Sequence, residues 1–170
     1  MKFSKLIFVF ALVVFCAACG QRKTTAEYNK LAADKIMKHD YKGAIEDLTK
    51  IIEFNPADTA AYFNRGLTRL NAKDYKGAIA DYNMALKLKP TDAWGYMDRG
   101  DAKHALNDLK GAIDDYTKAF ELNATNALAM LNRAACKLAL GDQVGACADF
   151  KTASELGDQQ AMELLRVNCK

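Results

Sequence analysis

The chain has 170 residues, with 24 Lys and Arg against 21 Asp and Glu and a formal net charge of +3. A balance this close to neutral sets up no strong field for nucleic acid or anionic lipid. Two histidines, His39 and His104, lie far apart with no cysteine or carboxylate at ligand spacing around them, so neither metal chemistry nor a cofactor site is expected.

The first stretch, MKFSKLIFVFALVVFCAACGQRK, holds two lysines, a ten-residue apolar run over 6–15 and then small residues. This is the pattern of a secretory signal peptide. A membrane span takes roughly 20 apolar residues, and the run is shorter. The CAACG segment resembles the bacterial lipobox, in which small residues precede a cysteine that is diacylated and becomes the mature N-terminus. Cys19 fits, with Ala17 and Ala18 ahead and Gly20 behind; Cys16 follows Phe15 and does not. The resemblance implies a signal peptide over 1–18, a lipidated N-terminus and polar tether over 19–24, and a protein anchored in the bacterial cell envelope, facing the periplasm. More than one acyl chain anchors stably. The alternative is an ordinary secreted protein cut near Ala18. Loss of Lys2 and Lys5 with the leader lowers the net charge from +3 to about +1.

Beyond the leader one pattern returns four times: DYKGAIEDLTKIIEFNP from 40, DYKGAIADYNMALKLKP from 74, DLKGAIDDYTKAFELNA from 108 and DQVGACADFKTASELGD from 142. Gly43, Gly77, Gly111 and Gly145 fix a 34-residue period, and a constant period in this range means stacked repeats. Half a period upstream, YFNRGLTRL, YMDRGDAKH and MLNRAACKL also recur. Both segments have helical spacing, so each unit is a helical hairpin. Gly66, Ala78 and Ala85 let two backbones approach, Tyr82 fills space toward the next hairpin, and Pro56 and Pro90 end the second helix.

These residues resemble the tetratricopeptide repeat family, a 34-residue helix–turn–helix unit. The resemblance implies an all-α solenoid of four units, 25–58, 59–92, 93–126 and 127–160, with a capping helix over 161–170. Asp47, Asp81, Asp115 and Asp149 recur on second helices, and Arg65, Arg99 and Arg133 on first helices, with Leu31 at the arginine place of the first unit. An arginine that reaches back to the preceding unit's aspartate would explain that gap, giving Asp47 with Arg65, Asp81 with Arg99, Asp115 with Arg133, and Asp149 with Arg166. Of the exported cysteines Cys136, Cys147 and Cys169, the favoured bridge is Cys147 with Cys169, tying the last unit to the cap. Cys136 with Cys147 is the second possibility, and three buried thiols the third.

The resemblance also implies that first helices line a concave binding face through Ala26, Asn29, Ala33, Ile36 and Met37 in the first unit. Ala60, Phe63, Leu67, Leu70 and Asn71 follow in the second; Trp94, Met97, Asp101, His104 and Ala105 in the third; Leu128, Leu131, Ala135, Leu138 and Ala139 in the fourth. Asn64 matches the set with which some members clamp a C-terminal carboxylate. Trp94 and Asp98 stand where its basic residues belong, so that activity is not implied. The expected function is a non-catalytic adaptor that binds an apolar helix or extended segment of another protein. The alternative is an accessory subunit of a cell-envelope enzyme or hydrolase whose activity depends on Asp101 and His104.

Overall fold

The computed structural model describes residues 23–169; the expected leader over 1–18 and the lipidation expected at Cys19 lie outside the described residues. Nine helices follow one another without a strand among those residues: α1 (Thr25–Met37), α2 (Tyr41–Phe54), α3 (Thr59–Asn71), α4 (Tyr75–Leu88), α5 (Ala93–Ala105), α6 (Leu109–Leu122), α7 (Ala127–Ala139), α8 (Gln143–Glu155) and α9 (Gln159–Asn168). The architecture is a solenoid: each helix packs on its chain neighbours, and α3 also touches α5.

The repeated DxxGA stretch is a cap and a close approach combined. Asp40, Asp74, Asp108 and Asp142 accept from the N–H groups of Gly43, Gly77, Gly111 and Gly145, satisfying a donor that the first turn leaves orphaned. A Cβ at any of these glycines would collide with the capping carboxylate. The residue before each cap turns the chain through the left-handed region, at His39, Lys73, Asn107 and Gly141 with φ from 59 to 83°. At the far end, Asn55 precedes Pro56 in extended conformation, as proline imposes on its predecessor, and Lys89 precedes Pro90 with φ −135° and ψ 82°.

Inside each hairpin, size is matched across the two helices. Tyr82 lies on Gly66 and Tyr116 on Gly100, with a ring carbon 2.8 and 2.7 Å from where a Cβ would stand. In the outer units the equivalent places hold Ala32 with Leu48 and Ala134 with Phe150, all buried. Tyr82 also packs with Ala102 of the next hairpin, so it fills space within its own unit and beyond it. The core is four clusters, and each takes in residues of the following helix: Ala61 joins the first unit, Ala102 the second, Ala129 and Cys136 the third, and Ala161 the fourth. No unit completes its core alone.

The ion pairs correct the expected register. Arg65 holds Asp81 of its own unit through Nε and Nη2 at 3.0 and 2.6 Å. Arg99 holds Asp115 at 2.9 and 2.6 Å, and Arg133 holds Asp149 at 2.8 and 2.7 Å, in the same bidentate manner. Asp47 pairs with Lys35, and Arg166 with Glu163 on the surface of α9. What crosses the unit boundary is the remaining arginine nitrogen. Nη1 donates to Thr49 from Arg65, to Asn83 from Arg99 and to Thr117 from Arg133, at 2.7 to 3.0 Å. The first unit has no predecessor to hold, which accounts for Leu31 in a different way from the one expected.

Cys147 and Cys169 form a disulfide with Cα atoms 5.7 Å apart, joining α8 to the end of α9. Cys136 is a buried free thiol, which rules out the Cys136–Cys147 alternative. Burial first, then the Asp101 carboxylate, pushes that thiol up to about 11 and keeps it protonated. The cap begins at Gln159, two residues earlier than expected, because Gly157 at φ 93° and the N-cap Asp158 shorten the connection.

Candidate functional site

The first helices α1, α3, α5 and α7 carry the residues expected on the concave face, and burial divides them. Trp94 is 63% exposed and Leu67 and Leu128 are each 45% exposed, so the fold does not bury these side chains. Asn29 and His104 are exposed, and Phe63, Leu70 and Asp101 are half-buried. Met97 and Leu131, at 2% and 6%, are core residues. They leave the expected lining because the third position after Trp94 and Leu128 turns toward the second helix; Met97 packs with Tyr116 and Leu131 with Phe150. Phe63 is shared: a Cβ on Gly95 of α5 would strike its ring, and its centroid is 6.2 Å from that of Tyr82.

Polar chemistry concentrates on α5 and its neighbours. Tyr116 donates its hydroxyl to Asp101 Oδ1 at 2.7 Å, and Asn132 Nδ2 donates to the same oxygen at 3.1 Å. These three, with His104 and Ala135, line a pocket of about 190 Å³. Burial raises the Asp101 carboxyl above its ordinary value, against the Tyr116 and Asn132 hydrogen bonds and the charge of His104, which lower it. Asp98, one turn earlier on α5, was not among the expected site residues. Burial, then the Asp101 and Asp92 carboxylates, pushes it up to about 6. Its signal in the sequence is the change from Asn64 and Asn132 to a carboxylate at the same repeat position.

Among the described residues no group of three or more His, Cys, Asp or Glu is placed to hold a metal ion. No helix among them is long and apolar enough to cross a membrane.

Models of the tetratricopeptide repeat match residues 59–92 and 95–126. No curated protein sequence matches the chain. Among solved structures, a MamA protein is similar at 22% identity over 85% of this chain and 80% of that one, with a TM-score of 0.79. The first repeat domain of Spaghetti (RPAP3), bound to the HSP90 peptide SRMEEVD, is 26% identical over 69% of this chain and 93% of its own, with a TM-score of 0.65. The repeat domain of Arabidopsis OM64 is 26% identical over 65% and 93%, with a TM-score of 0.62.

Proposed function

We propose that this chain, a tetratricopeptide repeat protein, is a non-catalytic scaffold that holds a segment of another protein against its concave face. The observation that carries the reading is Trp94, the sole tryptophan, standing 63% exposed on α5 beside a stack whose core closes without it. Leu67 and Leu128, in the units on either side, extend an apolar surface. Tryptophan is enriched among residues that dominate binding energy, with truncation costs of about 2 kcal/mol or more at a central position. A similar repeat domain, that of RPAP3, binds a peptide. The full reading includes an acylated Cys19, with the repeats held at a membrane of the cell envelope and facing the periplasm.

Trp94→Ala is expected to keep its helix content and melting temperature while weakening partner capture at least tenfold, a change of about 1.4 kcal/mol. Crosslinking in intact cells from a photoreactive residue at position 94 identifies the partner. A variant that melts far lower would make Trp94 a structural residue; one that is stable and captures its partner as before would move docking off this face. For the anchor, Cys19→Ser is expected to release the protein from membranes or leave it uncleaved. An unmodified mature N-terminus at or beyond Gly20 would overturn that part alone.

A further inference from the structure

Trp94, Asp98 and Asp101 are spaced four and three residues apart on α5, which puts them on one face of the helix. Asp98 is half-buried, and the charges that act on it, Asp101 and Asp92, are both negative. It makes no hydrogen bond or ion pair among the described residues. On Asp101 both donors go to Oδ1, leaving Oδ2 without a donor among those residues. A second and independent observation lies beneath them. Tyr82 is completely buried, yet its hydroxyl has no hydrogen-bond partner among the described residues. The carboxylate that bears on it most is Asp98, followed by Asp101.

The repeat shows where that hydroxyl points. One unit on, the equivalent Tyr116 reaches from beneath Gly100 to the concave pocket and donates to Asp101, with Asn132 completing the contact. Moving back 34 residues replaces Asp101 by Leu67, Asn132 by Asp98 and Ala135 by Asp101. The position between the second and third units therefore has carboxylates where its neighbour has an amide donor and a methyl group, and its tyrosine lacks the acceptor that Tyr116 has. A buried polar group without a partner is costly, and here the local supply of acceptors exceeds that of donors.

We propose that a lysine or arginine side chain of the partner segment enters this position, its cationic head on the carboxylates of Asp98 and Asp101. Charge-assisted hydrogen bonds to two carboxylates are the strong kind, and with its charge neutralised there a carboxylate can turn one oxygen to the Tyr82 hydroxyl, which lacks an acceptor among the described residues. The aliphatic stem lies along Leu67, as long cationic side chains commonly cover apolar surface, and Trp94 offers an aromatic face to the charge. The inference rests on the concave face being the docking face, and it defines the partner segment as apolar with at least one basic residue.

Trp94 is its own reporter. Capped pentapeptides alternating leucine with arginine, with lysine or with citrulline are titrated against the folded protein while Trp94 emission is followed. The arginine and lysine peptides are expected to give saturable changes weakened by added salt, and the citrulline peptide, equal in shape to arginine but uncharged, to bind at least tenfold more weakly. Asp98→Asn and Asp101→Asn are each expected to lose at least fivefold in affinity for the arginine peptide, with thermal melts confirming that both stay folded. Equal binding of citrulline and arginine peptides, or unchanged affinity in both variants, would overturn the subsite. Capture at position 94 of a partner whose docked segment lacks any basic residue would overturn it too, while leaving the scaffold reading intact.

Discussion

Asp81 is 2% exposed and takes hydrogen bonds from two arginines, Arg65 by the fork and Arg69 through Nη1 at 2.8 Å. Removing the aspartate would leave two guanidinium groups facing each other in a low-dielectric site, so Asp81→Ala is expected to cost about 3 to 5 kcal/mol in chemical unfolding. A loss near zero would mean that water takes over both cations. Asp98 is the opposite case. Its folded carboxyl sits at about 6 against an ordinary 3.8, so between those values the folded state holds a proton that the unfolded chain releases. This group therefore favours folding as pH falls through that window, and its contribution is lost as pH rises through 6. Asp98→Asn is expected to melt higher than the parent at pH 7.5, with the gap closing by pH 4; melts at both values check it. The existence of the aspartate and arginine series was legible in the sequence, but its register was not. Asp47 to Arg65 and Arg65 to Asp81 are similar separations along a helical hairpin, and a missing first arginine suits either one. Only the third arm of the guanidinium, reaching to Thr49, Asn83 or Thr117, shows how one residue serves both its own unit and the one before.

At the scale of the hairpin, the turn carries a cost that three units retain and one avoids. His39, Lys73 and Asn107 sit at φ 59, 62 and 62°, where an L-residue is disfavoured by roughly 1 to 2 kcal/mol, and the fourth unit has Gly141 there. Glycine removes the steric penalty but loses more chain entropy on folding, about 0.5 to 1 kcal/mol. Lys73→Gly is therefore expected to stabilise by up to about 1 kcal/mol, and Gly141→Lys to destabilise by a similar amount. Urea titrations of the two variants read these opposite signs; no gain for Lys73→Gly would show that the local chain already relaxes the turn. The hairpins themselves were legible, because the 34-residue period, the small residues and the prolines after the second helices agree on the same elements. Which groove residues stay exposed was not. Met97 and Leu131 lie three residues after Trp94 and Leu128, about 60° round the helix toward the seam with the second helix, whereas Asp101, seven residues after Trp94, is turned by only about 20°. A family pattern of contact positions does not register that turn when the side chain is large and apolar.

Among the described residues, helix contacts run mainly between neighbours along the stack, so stability is expected to be a sum of unit and interface terms. The end of such a stack is its weak point. Here α9 covers it with Ala161, which is fully buried against the fourth unit, while Leu164 and Leu165 pack at the edge of the same cluster. The Cys147–Cys169 bond spans 22 residues of chain, and closing a loop of that length restricts the unfolded chain by about 3 kcal/mol in the chain-entropy account. Because α9 packs mainly on α8, the loss on reduction should be local. In Cys169→Ser, amide exchange is expected to quicken through α9 and the C-terminal part of α8, while α2 to α5 keep their protection and Arg65 keeps its grip on Asp81. A collapse of protection throughout the chain would mean that the four units unfold as one cooperative body; no change anywhere would mean that burial of Ala161 holds the cap without the bond. The first outcome leaves the α5 face, where Trp94, Asp98 and Asp101 lie, unaffected by the redox state of the cap, so peptide titrations on the reduced protein should give the affinity of the oxidised one.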